Sequence, residues 1–207
     1  MPSFTLAAIK EVSAAAHRQF AGSGWRRKAP HLIRESAGVI HGIHFQASQF
    51  GSAEEGRFTI NLVVTEPRIY QAWTRRPLPA NPATALYPVQ QRIGWMLPAH
   101  RDHWWEISSS TDITTVKSEV LDLLRLAVSD FFIQFSSLEA MLERLRQHGT
   151  LPGLHGRQGG VTHGLIAAIL GHITEAETVL RQEVASSTVP GFTYNIREAA
   201  KHVGIHV

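Results

Sequence analysis

The sequence has no cysteine, no long apolar run and little net charge. Without cysteine there can be no disulfide and no thiolate metal site. No apolar run approaches the 18 or more residues that a membrane-spanning helix requires. The net charge of +3 arises from basic and acidic residues that are mixed along the chain, which argues against a nucleic-acid-binding surface. We therefore expect neither a membrane nor a nucleic acid among the partners.

Familiar catalytic and cofactor motifs are missing too. The chain has no Gly-x-Ser-x-Gly elbow, no P-loop and no Gly-x-Gly-x-x-Gly after a strand. Its N-terminal residues lack the basic start and long apolar stretch of a signal peptide, so we expect a cytoplasmic protein. The twelve histidines are scattered, and the grouping of His100, Asp102 and His103 is more typical of a polar turn than of a metal site. We predict no metal and no cofactor.

What is present is a run of short alternating segments. Residues 41–48, 57–64, 92–97 and 103–107 alternate in the manner of strands. In the second of these, one face carries Phe58, Ile60, Leu62 and Val64, and the other carries polar side chains that include Thr59 and Asn61. Residues 39–48 and 57–65 are predicted to pair as antiparallel strands. Residues 67–88 contain five of the ten prolines and are predicted to form a long surface loop with a short helix near residues 68–73.

Helical patterns occupy the rest of the chain. Residues 4–20 and the segment from Thr111 to His148 have apolar residues at helical spacing, and Ser136 to Glu139 reads as a capping box. After a glycine-rich linker, residues 161–207 predict a helical hairpin broken at Gly171-His172, and Asn195 predicts the start of a last short helix. We predict an α+β fold with an antiparallel sheet of four or five strands and helices on one face. Residues 1–150 would form this domain, and residues 161–207 a helical extension.

A resemblance to a known family rests on several short segments in a fixed order. They are Gly24 to Lys28, His44 to Ser48, Phe58 to Leu62, Arg92, Trp104 to Glu106 and Phe131 to Leu142. In this order they resemble the bacterial domain of unknown function 4304, over roughly residues 4–149. The resemblance implies an α+β domain and supplies no activity or catalytic residue. The turn at Gly171 to Ala176 weakly resembles that of a tetratricopeptide repeat, but one copy cannot form a repeat array.

The polar face of the sheet is the candidate working surface. If Ile43 and Phe45 face the core, then His44 and Gln46 lie on the same side as Asn61. Trp104 and Trp105 are adjacent in a strand, so one of the two joins that side. The predicted binding residues are Gln46, Asn61, Arg92, Trp104 and Trp105. The competing interpretation is an ordinary solvated sheet face, with the tryptophan covered by the proline-rich loop.

Two functions are compatible with these patterns. The first is a non-enzymatic binding protein with a protein partner, such as an immunity-type partner of a bacterial toxin. The second is a hydrolase or nuclease acting in a cleft between the sheet and the proline-rich loop. A buried carboxylate–histidine pair in a concave pocket would favour the enzyme.

Overall fold

One antiparallel sheet and eight helices make up residues 3–207, which are the residues described by this computed structural model. The strands are β1 (Arg26–Lys28), β2 (His31–Ser36), β3 (Val39–Ala47), β4 (Gly56–Thr65), β5 (Val89–Arg92) and β6 (Trp105–Ile107). The helices are α1 (Phe4–Gln19), α2 (Pro67–Thr74), α3 (Ile113–Leu126), α4 (Phe132–Gln134), α5 (Leu138–His148), α6 (Gln158–Ile169), α7 (Ile173–Ser186) and α8 (Pro190–His202). A single π-helical turn, Ala127–Phe131, joins α3 to α4. The α+β class is confirmed.

The strands follow the order β1-β2-β3-β4-β5, and β6 pairs with the other end of β4 beside β5. The predicted pairing of β3 with β4 is confirmed: Ile43 lies opposite Leu62, and His44 opposite Asn61. The sheet thus has six strands, where four or five were predicted. The strand predicted at residues 92–97 is wrong in extent, because β5 ends at Arg92 and residues 93–96 form a 3-10 turn.

The face of β4 that was predicted to be buried faces the main core. Phe58, Ile60 and Leu62 are fully buried there, together with Phe132 from α4. Helix α1 belongs to this layer, and the Gln19 side-chain amide donates to the Leu121 carbonyl of α3 over 3.0 Å. This hydrogen bond joins two helices that are about a hundred residues apart in sequence.

Local signals fix several helix ends. Helix α5 begins where the predicted capping box suggested, but its cap is Ser137 and not Ser136: the Ser137 hydroxyl accepts from the Ala140 N–H over 3.3 Å. Because the third residue after this cap is alanine, the reciprocal bond of a capping box is not available. Gly149 ends that helix in the left-handed conformation, with φ of +71°. The predicted start of the last helix at Asn195 is wrong, since α8 begins at Pro190, a residue well suited to a first helical turn.

The second face of the sheet is covered in its middle by the proline-rich loop. The 3-10 turn Pro82–Thr84 lies so close to β3 that a Cβ on Gly42 would stand 2.8 Å from the Ala83 Cα. Further along, the Thr59 hydroxyl donates to the His103 carbonyl over 2.8 Å. Thr59, Asn61 and Val63 are all buried on this face. The expectation that this face is open to solvent is wrong for Thr59 and Asn61.

The C-terminal helices share the main hydrophobic core. Val161, Leu165, Leu180 and Ile196 are fully buried and belong to one continuous apolar cluster with the residues of the sheet. A hydrogen bond of 2.7 Å joins the hydroxyls of Tyr87 and Thr162. The division into residues 1–150 and 161–207 remains a prediction. Every helix in residues 3–207 is too short or too polar to cross a bilayer.

Candidate binding site

Three of the five predicted binding residues converge on the uncovered part of the second sheet face, and a fourth, Asn61, lies buried beneath them. Gln46, Arg92 and Trp104 line a concave pocket whose walls also include Arg57 and Phe50, and we call this surface the Arg92 basin. Its volume is about 320 Å³. β3 supplies Gln46, β4 supplies Arg57 and Asn61, β5 supplies Arg92, and Trp104 lies just before β6.

Asn61 forms the buried floor beneath the basin. Its side-chain amide donates to the Gln46 Oε1 over 2.7 Å and lies 3.4 Å from the His44 Nδ1. Its own carbonyl oxygen accepts from the Gln90 amide over 3.4 Å. Because Asn61 occupies the carbonyl oxygen of Gln46, the Gln46 NH₂ group is left to donate elsewhere. Asn61 thus acts by orienting Gln46 rather than by meeting a ligand itself.

Arg92 and Trp104 are held together by Asp102. Arg92 lies opposite Asn61 in the register, which places both side chains on the same face. Asp102 accepts hydrogen bonds from Arg92 and, over 2.9 Å, from the Trp104 indole. Partial burial alone would raise the pKa of Asp102, but the hydrogen bonds from Arg92 and Trp104 hold that pKa below its usual value. Asp102 therefore stays charged and fixes both partners.

Two guanidinium groups lie over the Trp104 ring. The Arg92 Cζ is 4.9 Å from the ring centroid, and the Arg57 Cζ is 5.0 Å from it. Both distances fall within the range of cation–π attraction. Arg57 also has an ion pair with Glu106, but the 3.7 Å separation is too wide for a hydrogen bond. The donors of Arg57 are consequently the least committed in the basin.

The two adjacent tryptophans point to opposite faces, as alternation requires. Trp105 is 4% exposed, stacks on Phe58 at 5.2 Å and donates from its indole to Glu119 over 3.2 Å. It belongs to the core. Of the pair, Trp104 is the residue that lines the basin.

Two histidines lie beside the floor of the basin, and of these the sequence placed His44 on this face but missed His31. The His31 ring is 4.7 Å from the His44 ring, and its Nδ1 accepts from the Phe45 N–H over 3.1 Å. Burial, reinforced by the neighbouring His44, lowers the pKa of His31 to about 4, and burial also lowers the pKa of His44. Both rings are neutral at pH 7. The alternation of β3 places His44 here, but His31 required the register of β2, which no sequence pattern defines.

The other titratable groups of residues 3–207 lie outside the basin or are engaged in structural pairs. Within residues 3–207, no group of three or more His, Asp or Glu side chains is arranged to hold a metal ion. Asp102 of the predicted polar turn is engaged by Arg92 and Trp104 instead. His163 and Glu175 lie 2.7 Å apart between α6 and α7, where Arg146 also binds Glu175 and lowers its pKa to about 2. This pair links α6 to α7 and does not line the basin.

A larger cavity adjoins the basin at the edge of β5. It has a volume of about 660 Å³ and shares Arg92 with the basin. Trp95, which is half exposed, and His100 form one wall, and the segment from Pro152 to His155 forms the other. Arg92 thus lines both the basin and this larger cavity.

Fold and site together define an α+β protein with a polar, arginine-rich basin on the second face of an antiparallel sheet. A sequence model of the family described as Domain of unknown function (DUF4304) matches residues 16–134, which is more than half of the chain. The protein belongs to this family, and the predicted resemblance is confirmed. All the residues of the basin lie inside the matched segment. Comparison with curated proteins and with solved structures gave no match.

Proposed function

We propose that this protein is a non-enzymatic binding protein and that the Arg92 basin is the surface that contacts its partner. The observation that carries the proposal is the convergence of Gln46, Arg57, Arg92 and Trp104 from separate parts of the sheet around one pocket. Arginine and tryptophan are the residues enriched at energetically dominant interface positions. Phe50, which is 70% exposed at the rim, supplies apolar contact area.

The partner we propose is another protein, and specifically a secreted bacterial toxin, which would make this an immunity-type protein of the bacterial cytoplasm. Support for the toxin is an analogy with other small α+β families and rests on no residue of the chain. Support for a protein partner is stronger, because an open pocket with an exposed aromatic rim suits a protruding side chain of another protein.

A hydrolase or nuclease that acts between the sheet and the proline-rich loop has less support. The loop packs directly on β3 through Ala83 and Gly42, so no cleft opens at that place. In the described residues the basin also lacks a hydrogen-bonded carboxylate–histidine pair, which a general acid–base mechanism would use.

The test is capture of the native partner from host lysate by the tagged protein, with identification by mass spectrometry. Trp104→Ala should reduce capture at least tenfold if the basin is the contact surface, as loss of a central interface tryptophan does. Tyr194→Ala is the matched control, since Tyr194 is an aromatic residue that is 56% exposed on α8, away from the basin. Equal capture by both variants would show that the partner binds elsewhere.

The toxin proposal needs its own experiment. Co-expression with the product of a toxin-like reading frame directly upstream should rescue growth, and Trp104→Ala should abolish that rescue. Growth arrest that the wild-type protein does not relieve would contradict the immunity role while leaving a different protein partner open.

A further inference from the structure

We propose that the Arg92 basin recognises carboxylate groups, so that the partner presents an acidic segment with Asp or Glu side chains to Arg57 and Arg92. This inference rests on the proposed function and names the chemistry of the partner at the same site. It concerns three hydrogen-bond donors that line the basin with Trp104, namely Gln46, Arg57 and Arg92, each of which has N–H groups without a partner in the described residues.

The first argument is the supply of uncommitted donors. Arg57 makes no side-chain hydrogen bond within the described residues, and its contact with Glu106 is a wide ion pair. Arg92 uses one terminal nitrogen on Asp102, which leaves its other N–H groups free. Gln46 has its carbonyl oxygen occupied by Asn61, so that its NH₂ is the group available to a ligand. Each of these is a donor, and a ligand that satisfies all three must be an acceptor.

The second argument is geometric. Both guanidinium groups lie about 5 Å from the centre of the same indole ring, so they flank one small region rather than spreading along the surface. A guanidinium is a planar fork that matches a carboxylate with two parallel hydrogen bonds. The basin of about 320 Å³ has room for one or two such groups together with an adjoining apolar residue against Phe50.

The third argument is the local charge, which favours carboxylates over a polyphosphate chain. Arg92 is paired with Asp102 and Arg57 with Glu106, so these two acidic side chains stand at the border of the basin. A nucleic-acid backbone would bring a row of negative charges against both of them, and the net charge of +3 offers no wider basic stripe to offset that repulsion. An acidic peptide can place one or two of its carboxylates on the guanidinium groups and turn the others toward solvent, because its side chains rotate independently.

The experiment is a titration of the full chain, labelled with ¹⁵N, with a capped tetraglutamate peptide. The reporter is the indole N–H resonance of Trp104, which Trp104→Phe identifies among the five tryptophans. We expect tetraglutamate to shift this resonance in a saturable way, and capped tetralysine to leave it unchanged. Arg57→Gln should weaken binding about tenfold or more, as loss of a charge-assisted hydrogen bond does.

Arg125→Gln is the matched control, because Arg125 is an exposed arginine on α3 that pairs with Asp122. It should bind tetraglutamate as the wild type does. Arg92→Gln is the second variant at the site. If the Arg92→Gln variant unfolds because Asp102 loses its partner, the result for Arg57→Gln alone tests the proposal. Arg57 makes no hydrogen bond like that of Arg92 with Asp102, so its replacement should not affect folding.

Three results would overturn the proposal. One is a Trp104 resonance that does not shift with tetraglutamate at about 10 mM, a concentration that would nearly saturate a site with a Kd of about 1 mM. Another is unchanged binding by Arg57→Gln. The third is tighter binding of inorganic phosphate or an oligothymidylate than of the peptide, which would assign the site to phosphate. If any of these occurs while Trp104→Ala still abolishes partner capture, the carboxylate chemistry fails and the proposed binding surface stands.

Discussion

The two faces of the sheet are equally buried along the middle of β4 but are filled in different ways. On the core face, Phe58, Ile60 and Leu62 pack under helices that offer apolar side chains. On the second face, Thr59 and Asn61 are just as inaccessible, yet each is hydrogen-bonded to a neighbour. The difference lies in the partners that each face offers: the Thr59 hydroxyl donates to the backbone carbonyl of His103, and the Asn61 amide donates to the side chain of Gln46 on the neighbouring strand. Where the loop ends, the same polar pattern emerges at the surface as the Arg92 basin.

The core face should show the largest loss of stability on truncation. Phe132 is fully buried against His41 and Trp25, so Phe132→Ala should lower the free energy of unfolding by about 3–5 kcal/mol. Its neighbour Ile133 is 67% exposed, and Ile133→Ala should cost less than about 0.5 kcal/mol. Urea unfolding of both variants measures the contrast. Similar losses would mean that the core is not where the structure places it.

Acid should weaken the core face through His41. Its Nε2–H donates to the Phe135 carbonyl over 3.0 Å, and its Nδ1 accepts from Arg34, also over 3.0 Å. Burial, with the adjacent Arg34 charge, lowers the pKa of His41 from 6.5 to about 4. Between pH 6.5 and about 4, His41 is protonated in the unfolded chain but stays neutral in the folded protein. Stability is thus complete above pH 6.5 and falls toward pH 4, by on the order of 3 kcal/mol for this group.

The pH effect can be checked with urea unfolding at pH 7 and pH 4.5. His41→Gln should lose less stability on acidification than the wild type does, because it removes the titrating ring. His206→Gln, at an exposed position, should behave like the wild type. An unchanged pH dependence in His41→Gln would assign the acid sensitivity to other groups, of which His31 is the next, since its pKa is lowered to about 4 as well.

A single added methyl group at Gly42 should disturb the packing of the proline-rich loop on the second face of the sheet. Gly42→Ala adds a Cβ about 2.8 Å from the Ala83 Cα, so either the loop must lift or the strand must shift. We expect a loss of about 1–3 kcal/mol, typical of overpacking, with faster proteolysis of residues 76–88. Gly191→Ala on α8 meets no atom within 4 Å and should be neutral or stabilising. If Gly42→Ala is as harmless, the loop does not lie on the sheet.

The smallest expected effect concerns the amides of the second face. Asn61→Ala removes a buried hydrogen-bonding group and should cost about 1 kcal/mol. Gln46 is half-buried, and Gln46→Ala should cost less than about 0.5 kcal/mol. Thermal and urea unfolding of the single variants separates the two. Equal and negligible losses would restore the original expectation that both amides face solvent.

The sequence predicted the pairing of β3 with β4 and the part of the site that these two strands supply. The alternation of residues 57–64 gives the face of Asn61, and pairing with β3 then places His44 and Gln46 beside it. Alternation also requires that one of the two tryptophans leaves the core, but only the pairing of Trp105 with Phe58 decides which. The competing interpretation had the proline-rich loop over the tryptophan, but the loop lies on Gly42 instead, and Trp104 lines the open basin. This position could not be predicted, because the contact of Gly42 with Ala83 joins distant segments through shape alone and has no periodicity. The burial of Asn61 was unforeseen because it involves the side chains of Gln46 and Gln90, whose hydrogen bonds with Asn61 no sequence pattern indicates.

The hydrogen bond from Gln19 to the Leu121 carbonyl has a consequence for biosynthesis. At a synthesis rate of roughly 5–20 residues per second, the partner of α1 follows it by about 5–20 seconds, since 102 residues separate the two groups. During that interval Ile9, Val12 and Ala16, which are buried in the folded protein, have no α3 to cover them. Until α3 is synthesised, the apolar face of α1 is the type of surface that ribosome-associated chaperones bind.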